Sequence, residues 1–213
     1  MDTRRPKEEL TFIAGARRAQ IIHAAIATLD RIGFQRASLA QIAKEAGISP
    51  ALIAYHFRDK NELMDQTLMT LLEESAEYVL RRMEQADTPT HKLHAYIDAS
   101  LAYQLLHPQR ATALIEIVFH ARTPDDVPYY KLEGGEEDPL ESALRQILTE
   151  GQRTGEFRKF HVDVAASVIQ SAIFEFAANR SLSAKMDLET YAAELKRLVD
   201  RMVLKDADRI PDR

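Results

Sequence analysis

The chain has 213 residues, with no cysteine, no tryptophan, and only seven glycines and eight prolines. Without thiols there is no disulfide framework, no thiolate metal site and no cysteine nucleophile. Few chain breakers, and no long alternating run of valine, isoleucine and threonine, argue against a sheet. No segment approaches about 18 uninterrupted apolar residues, and the charged start lacks the apolar stretch of a signal peptide. A cytoplasmic protein with no membrane partner is the expectation. A phosphate-cradling glycine loop, Gly-x-Ser-x-Gly and His-Glu-x-x-His are all missing, so no enzyme is expected. His91 and His94 share a helix face but lack an acidic or cysteine partner. Glu133, Glu136, Glu137 and Asp138 lack the spacing of a calcium loop. Neither a metal nor a cofactor is expected.

What is present is a helical pattern. Hydrophobic residues make up 46% of the chain, enough for a small head on a larger body. The net charge of −5 is unevenly spread: residues 1–66 hold ten basic and eight acidic side chains, and residues 67–213 hold eighteen and twenty-five. A mildly basic head on an acidic body permits DNA binding without demonstrating it.

Residues 1–15 are polar without periodicity and read as a flexible arm, in which Arg4, Arg5 and Lys7 are candidates for phosphate contact. Ile21, Ile22, Ala25, Ile26 and Leu29 then fall at helical spacing, and Gly33 stands where a left-handed cap belongs. Ser38 followed by Gln41 is a capping-box pattern opening a helix of barely two turns that ends at Gly47. Ser49-Pro50 opens a third, because serine caps free amides and proline tolerates the first helical position. Asp59-Lys60-Asn61-Glu62 caps a long amphipathic helix reaching about residue 85. Further helical patterns cover roughly 91–106, 109–122, 137–154, 162–181 and 188–205. The expectation is all-α, with about nine helices: an arm at 1–15, a head at 16–62 and a body at 63–213.

Two short helices joined through a glycine, the second opened by Ser-Pro, have the spacing of a helix-turn-helix. Ala43 and Ala46 are small enough to let the two helices cross closely. The run from Ala37-Ser38-Leu39-Ala40-Gln41-Ile42-Ala43-Lys44-Glu45-Ala46-Gly47-Ile48-Ser49 to Ala54-Tyr55-His56-Phe57-Arg58-Asp59-Lys60-Asn61-Glu62-Leu63 resembles the DNA-binding domain of the TetR family of bacterial regulators. The resemblance spans about Arg17 to Met64; beyond it only Gly151-Gln152 and Gly155-Glu156-Phe157-Arg158 look familiar.

The resemblance implies roles position by position. Ser38 matches a hydroxyl residue that bonds a phosphate, while also serving as a plain cap. Ser49, Pro50, Ala51 and Leu52 match the start of the recognition helix, whose side chains face base edges. Tyr55 and His56 match its aromatic pair, and Lys60 matches a lysine that meets a phosphate. Phe57 is assigned to the core. Leu52 and Ala54 depart from the threonine and tyrosine common in the family, which shifts recognition toward Tyr55, apolar contact with thymine methyls and backbone positioning.

The body then has two tasks. Major-groove half-sites recur about every 34–36 Å, so two heads are needed. The last two helices offer a homodimer surface through Val164, Val168, Ala172, Phe176, Tyr191, Leu195, Leu198 and Met202, although part of each stripe must bury within its own chain. Tyr96, Tyr103 and His107 share a helix face, and with Ile117, Phe119, His120, Gln170 and Phe174 they are candidates to line a small-molecule pocket. The expected protein is a nucleoid-associated repressor that binds a palindromic DNA operator as a homodimer and is released by a small-molecule effector. An activator, or a regulator controlled by a protein partner, stays open, as does a helical ligand-binding protein or enzyme.

Overall fold

A computed structural model describes residues 5–131 and 138–205. The N-terminal four residues expected in the arm, and Glu133, Glu136 and Glu137 of the acidic loop, lie outside the described residues. The described elements are α1 (Arg5–Arg36), α2 (Leu39–Ala46), α3 (Pro50–His56), α4 (Lys60–Met83), α5 (Pro89–Leu106), α6 (Pro108–His120), α7 (Pro139–Thr154), α8 (Val162–Ala178), α9 (Arg180–Ser183) and α10 (Leu188–Val203), with one 3-10 turn at Tyr129–Lys131. No strand forms among the described residues; two isolated bridges, Arg122 with Pro128 and Phe157 with Leu204, are the only pairings recorded there.

Helix α1 starts at Arg5, inside the stretch read as an arm. Lys7, Glu8, Glu9 and Leu10 are good helix formers and Pro6 fits a first turn, but this segment has no apolar periodicity to announce a helix. At Gly33 the helix breaks, with φ 74° and ψ 166°, a region open almost only to glycine. The expected 162–181 helix ends at Ala178, and Asn179 then caps the single turn α9 by accepting from Leu182 N at 3.1 Å.

The chain groups into two compact units that are not contiguous in sequence. One is residues 1–71 with 109–133, the other 72–108 with 134–213. The sequence suggested a boundary at 62, yet residues 109–133 join the first unit because Ala113, Ile117 and Ala121 are buried with Ile21, Ala25, Leu29, Ile42, Ile53, Phe57, Leu63 and Met64. An amphipathic stripe shows that a helix is buried, not which core receives it.

In the second unit, Tyr96, Ile97 and Leu101 of α5 pack with Leu144 and Leu148 of α7, Ile169 and Ile173 of α8, and Leu195 and Val199 of α10. Burying each such aliphatic side chain contributes roughly 1.5–3 kcal/mol before the entropy of ordering is subtracted. Helix α7 ends at Gly155 in the left-handed conformation (φ 78°), after which Phe157 turns back and donates its N–H to Gly151 O at 2.8 Å. Its ring lies so close that a Cβ on Gly151 would stand 2.1 Å from Phe157 Cδ2, which is why glycine occupies this buried helical position.

Candidate nucleic-acid interface

The interface is built from three locally capped helices. Ser38 Oγ accepts from Gln41 N at 3.2 Å, and α2 ends at Gly47 in the left-handed conformation (φ 67°), with Ile48 N returning to Ala43 O at 3.0 Å. Ser49 Oγ accepts from Leu52 N at 3.3 Å with Pro50 in the first helical turn. Asp59 Oδ1 accepts from Glu62 N at 2.9 Å while Glu62 Oε2 accepts from Arg58 N at 2.8 Å, a reciprocal cap at the start of α4. The bond from Glu62 N holds the Asp59 carboxyl below its ordinary range.

These caps set the faces of α3. Ile53 and Phe57 are buried, and Pro50, Ala51, Ala54 and Tyr55 are exposed. Tyr55 is 81% exposed, an unusual placement for a large aromatic ring, and stands edge-on to His56 with ring centroids 5.1 Å apart. Leu52 is half-buried, so less of it faces outward than its place in the first turn suggested. Ser38 and Ser49 are exposed, their hydroxyls already used as caps.

Three C-terminal helix carbonyls are each satisfied by a side chain from another helix, which fixes the relative positions of α1, α2, α3 and α4. Gln20 Nε2 donates to Ala46 O at 2.8 Å, at the end of α2. Arg18 donates to His56 O at the end of α3, and its guanidinium lies 4.3 Å from the centre of the Phe57 ring. Lys60 Nζ donates to Phe34 O at 2.7 Å and sits 4.1 Å from the Phe34 ring centre. Arg18 and Gln20 carried no signal in the sequence, because their partners lie 38 and 26 residues away.

The electrostatics follow from this bracing. Desolvation first, then the charges of Arg18 and Arg17, lowers the His56 imidazole from its usual range, favouring the neutral ring. Burial pushes the half-buried Lys60 ammonium down from its ordinary value. Lys60 is therefore anchored on the end of α1 instead of extending freely into solvent, although an ammonium has three donors and the carbonyl occupies one.

The residues singled out for a small-molecule pocket divide between the units. Ile117 is fully buried in the first unit's core, Phe119 is 50% exposed, and His120 is exposed, its Nδ1 donating to Glu116 O at 3.1 Å. In the second unit Tyr96 and Tyr103 are buried, and burial raises both phenols, Tyr103 to about 12. His107 is half-buried with its ring 4.7 Å from that of Tyr103; Gln170 is half-buried and Phe174 is 37% exposed. On the Tyr96 face of α5, the buried Tyr96 Oη, Ser100 Oγ and Gln104 Oε1 have no hydrogen-bond partner. Ser100 and Gln104 are not aromatic, and nothing in the sequence distinguishes them from the other polar residues of α5. An open groove of about 480 Å³ between α5 and α10 is lined by Asp98, Leu101, Leu188, Glu189, Ala192, Ala193 and Lys196, none of them among the expected pocket residues.

The dimer candidates also divide. Phe176 and Leu195 are buried in the unit's own core, and Tyr191 packs on Phe176 at 4.8 Å while donating its hydroxyl to Ala172 O at 2.6 Å. Met202 is half-buried against the same core. Val164, Val168 and Leu198 are 61%, 51% and 61% exposed. His94, weighed above as a metal ligand, bonds Asp200 Oδ1 at 2.7 Å, and no metal-holding cluster gathers among the described residues. No described helix is long and apolar enough to cross a membrane.

A family model described as bacterial regulatory proteins, tetR family, matches residues 21–67. The HTH-type transcriptional regulator BetI of Brucella canis is 33% identical over 111 residues, which are 52% of this chain and 56% of that protein. BetI of Stenotrophomonas maltophilia is 39% identical over 85 residues, covering 39% of this chain and 43% of that protein. The chain spans about half the length of the curated relatives it matches. Among solved structures, the fatty acid degradation regulator FadR from Bacillus halodurans superposes with a TM-score of 0.74 at 19% identity, covering 91% of this chain and 97% of that one. FadR from Bacillus subtilis, solved in complex with stearoyl-CoA, gives 0.73 at 20% identity, covering 85% of this chain and 96% of that one. At such identities the structural likeness establishes the fold alone.

Proposed function

We propose that this chain, whose residues 21–67 match the TetR family model and whose curated relatives are HTH-type regulators, is a TetR-family transcriptional repressor that binds a palindromic operator as a homodimer and is released by a small molecule. The observation that carries the DNA-binding part is the 81% exposed Tyr55 on a helix whose opposite face is anchored by Ile53 and Phe57. A rigid short helix with one exposed aromatic ring and free first-turn positions suits the major groove. Tyr55, Ala51 and Pro50 read base edges, and Ser38, Ser49, His56 and Lys60 position the backbone. Leu52 contributes through its outward part.

Two heads need a dimer, and Val164 and Val168 of α8 and Leu198 of α10 are large apolar side chains left exposed within the chain, which suits them to that contact. Ala172, Phe176, Tyr191, Leu195 and Met202 lie on the same two helices and pack in or against the unit's own core. The effector site rests on Tyr96, Tyr103 and His107 along α5, where buried polar atoms without partners supply the handles a ligand would satisfy. Gln170 and Phe174 belong to the same unit, and Ile117, Phe119 and His120 lie on α6 of the other. An effector that prefers a head spacing incompatible with the operator weakens DNA binding by linkage.

Selection of genomic fragments retained by the purified protein, followed by transcript measurement with and without its gene, tests this function. A repressor gives retained fragments that share a palindrome and neighbouring transcripts that rise on deletion. Transcripts that fall on deletion make it an activator, and the absence of any enriched fragment rules out the DNA-binding function.

A further inference from the structure

Phe34, the residue that follows Gly33, has both its backbone N–H and its carbonyl held by charged side chains. Phe34 N donates to Glu116 Oε2 at 2.7 Å, and Phe34 O accepts from Lys60 Nζ at 2.7 Å. Glu116 comes from α6, 82 residues along the chain, and Lys60 opens α4. Both bonds are charge-assisted, and such bonds are about twice as strong as neutral ones. The local backbone is shaped to admit the carboxylate: Gly33 takes φ 74°, and a Cβ there would stand 3.3 Å from Glu116 Oε2. The His120 ring, one turn beyond Glu116, lies alongside the Phe34 ring at 6.4 Å between centroids and within 3.4 Å of Glu116 Oε2. Helix α6 itself is seated in the same core through the fully buried Ile117. The carboxylate is thus fixed at its base by packing and at its tip by a backbone N–H.

We propose that Glu116 is a positioning residue for DNA binding: by gripping Phe34 N–H it sets the carbonyl on which Lys60 rests, and so sets where the Lys60 ammonium meets a phosphate. This rests on the proposed DNA-binding function and on Lys60 as a phosphate contact. Lys60 has one donor on Phe34 O and two left over, and their direction is fixed by that first bond. Releasing Phe34 from Glu116 frees the short stretch of α1 that follows the break at Gly33, and Lys60 loses its fixed reference. Helix α6 thereby gains a hold on a phosphate-binding side chain without approaching the DNA.

The test is fluorescence anisotropy on a selected operator duplex over a series of salt concentrations, with E116A, E116Q, K60A and the double variant E116A/K60A. A lost phosphate contact lowers the slope of log affinity against log salt by about one. K60A is expected to weaken binding by about tenfold with that drop in slope, as one phosphate contact removed implies. E116A is expected to weaken binding in the same way, with a reduced slope, and to cost nothing further in the K60A background. E116Q keeps an oxygen for Phe34 N–H and is expected to stay within about twofold of the parent. If E116A does not fold, E116D, one methylene short of the contact, takes its place with the same expected loss. A parent salt slope in E116A or E116D, or losses that multiply in the double variant, overturns the role of Glu116 alone. K60A with parent affinity and slope removes Lys60 from the interface, and the inference with it.

Discussion

Gly151→Ala places a methyl group where Phe157 now lies. The added Cβ would stand 2.1 Å from Cδ2 and 2.3 Å from Cε2 of a ring that is 2% exposed, so the ring must leave its seat. Evicting it is comparable to deleting it, about 3–5 kcal/mol for a buried phenylalanine. Against this, alanine inside a helix is favoured over glycine by about 1 kcal/mol. The net expectation is a loss of about 2–4 kcal/mol, a substantial share of the stability of a marginal domain. Urea denaturation followed by circular dichroism, at fixed protein concentration, measures it. The cause is isolated by making the change in a Phe157→Ala background, where the methyl enters vacated space and stability is expected to hold or rise by about 1 kcal/mol. If Gly151→Ala is neutral in the parent, or equally harmful once Phe157 is gone, the steric account is refuted.

Tyr55→Ala removes an exposed side chain, so the denaturation midpoint should move by no more than about 0.5 kcal/mol, while operator affinity falls by about 1–3 kcal/mol as measured by anisotropy. Asp59 and Asp187 are held below the ordinary carboxylate value of 3.8, chiefly by bonds from Glu62 N and Thr190 N. Carboxylates lowered in the folded state contribute stability that is present above pH 3.8 and lost as pH falls toward their folded values. Asn at both positions keeps a cap without the charge, and should flatten the acid limb of stability below pH 3.8 in a pH-resolved melting series. Val168→Asp with Leu198→Asp, at positions 51% and 61% exposed, should shift sedimentation toward monomer without altering helical content.

The head was legible because its punctuation is local. Ser38 with Gln41, Ser49 with Leu52, and Asp59 with Glu62 are each satisfied three residues away, within reach of sequence pattern. Gly33 and Gly47 both have the positive φ expected of helix ends, though Gly33 adopts an extended ψ in place of the left-handed helical one. The braces that lock these helices were not legible, since Arg18, Gln20, Lys60 and Glu116 find carbonyl or amide partners 26 to 82 residues away. The start of α1 has no apolar stripe, and a helix without one carries no periodic signature to tell it from an arm.

In the body, the longer helices were legible from periodicity, but the single turn α9 and the helices' packing partners were not. Leu195 and Leu198 are three residues apart on one helix, yet the first is 7% and the second 61% exposed. A wide apolar stripe does not declare which of its edges faces its own core. Ile117 shows the same limit, having the composition of a pocket residue and the location of a head-core residue.

The central claim, that α3 reads specific DNA with Tyr55 outward and Lys60 on a phosphate, is tested most directly by a mobility shift on the intergenic DNA upstream of the gene and on selected genomic fragments, with unrelated competitor DNA at physiological salt. The account predicts a discrete competitor-resistant complex that weakens in both Tyr55→Ala and Lys60→Ala. A complex that competitor DNA removes entirely, or one untouched by both substitutions, would contradict it.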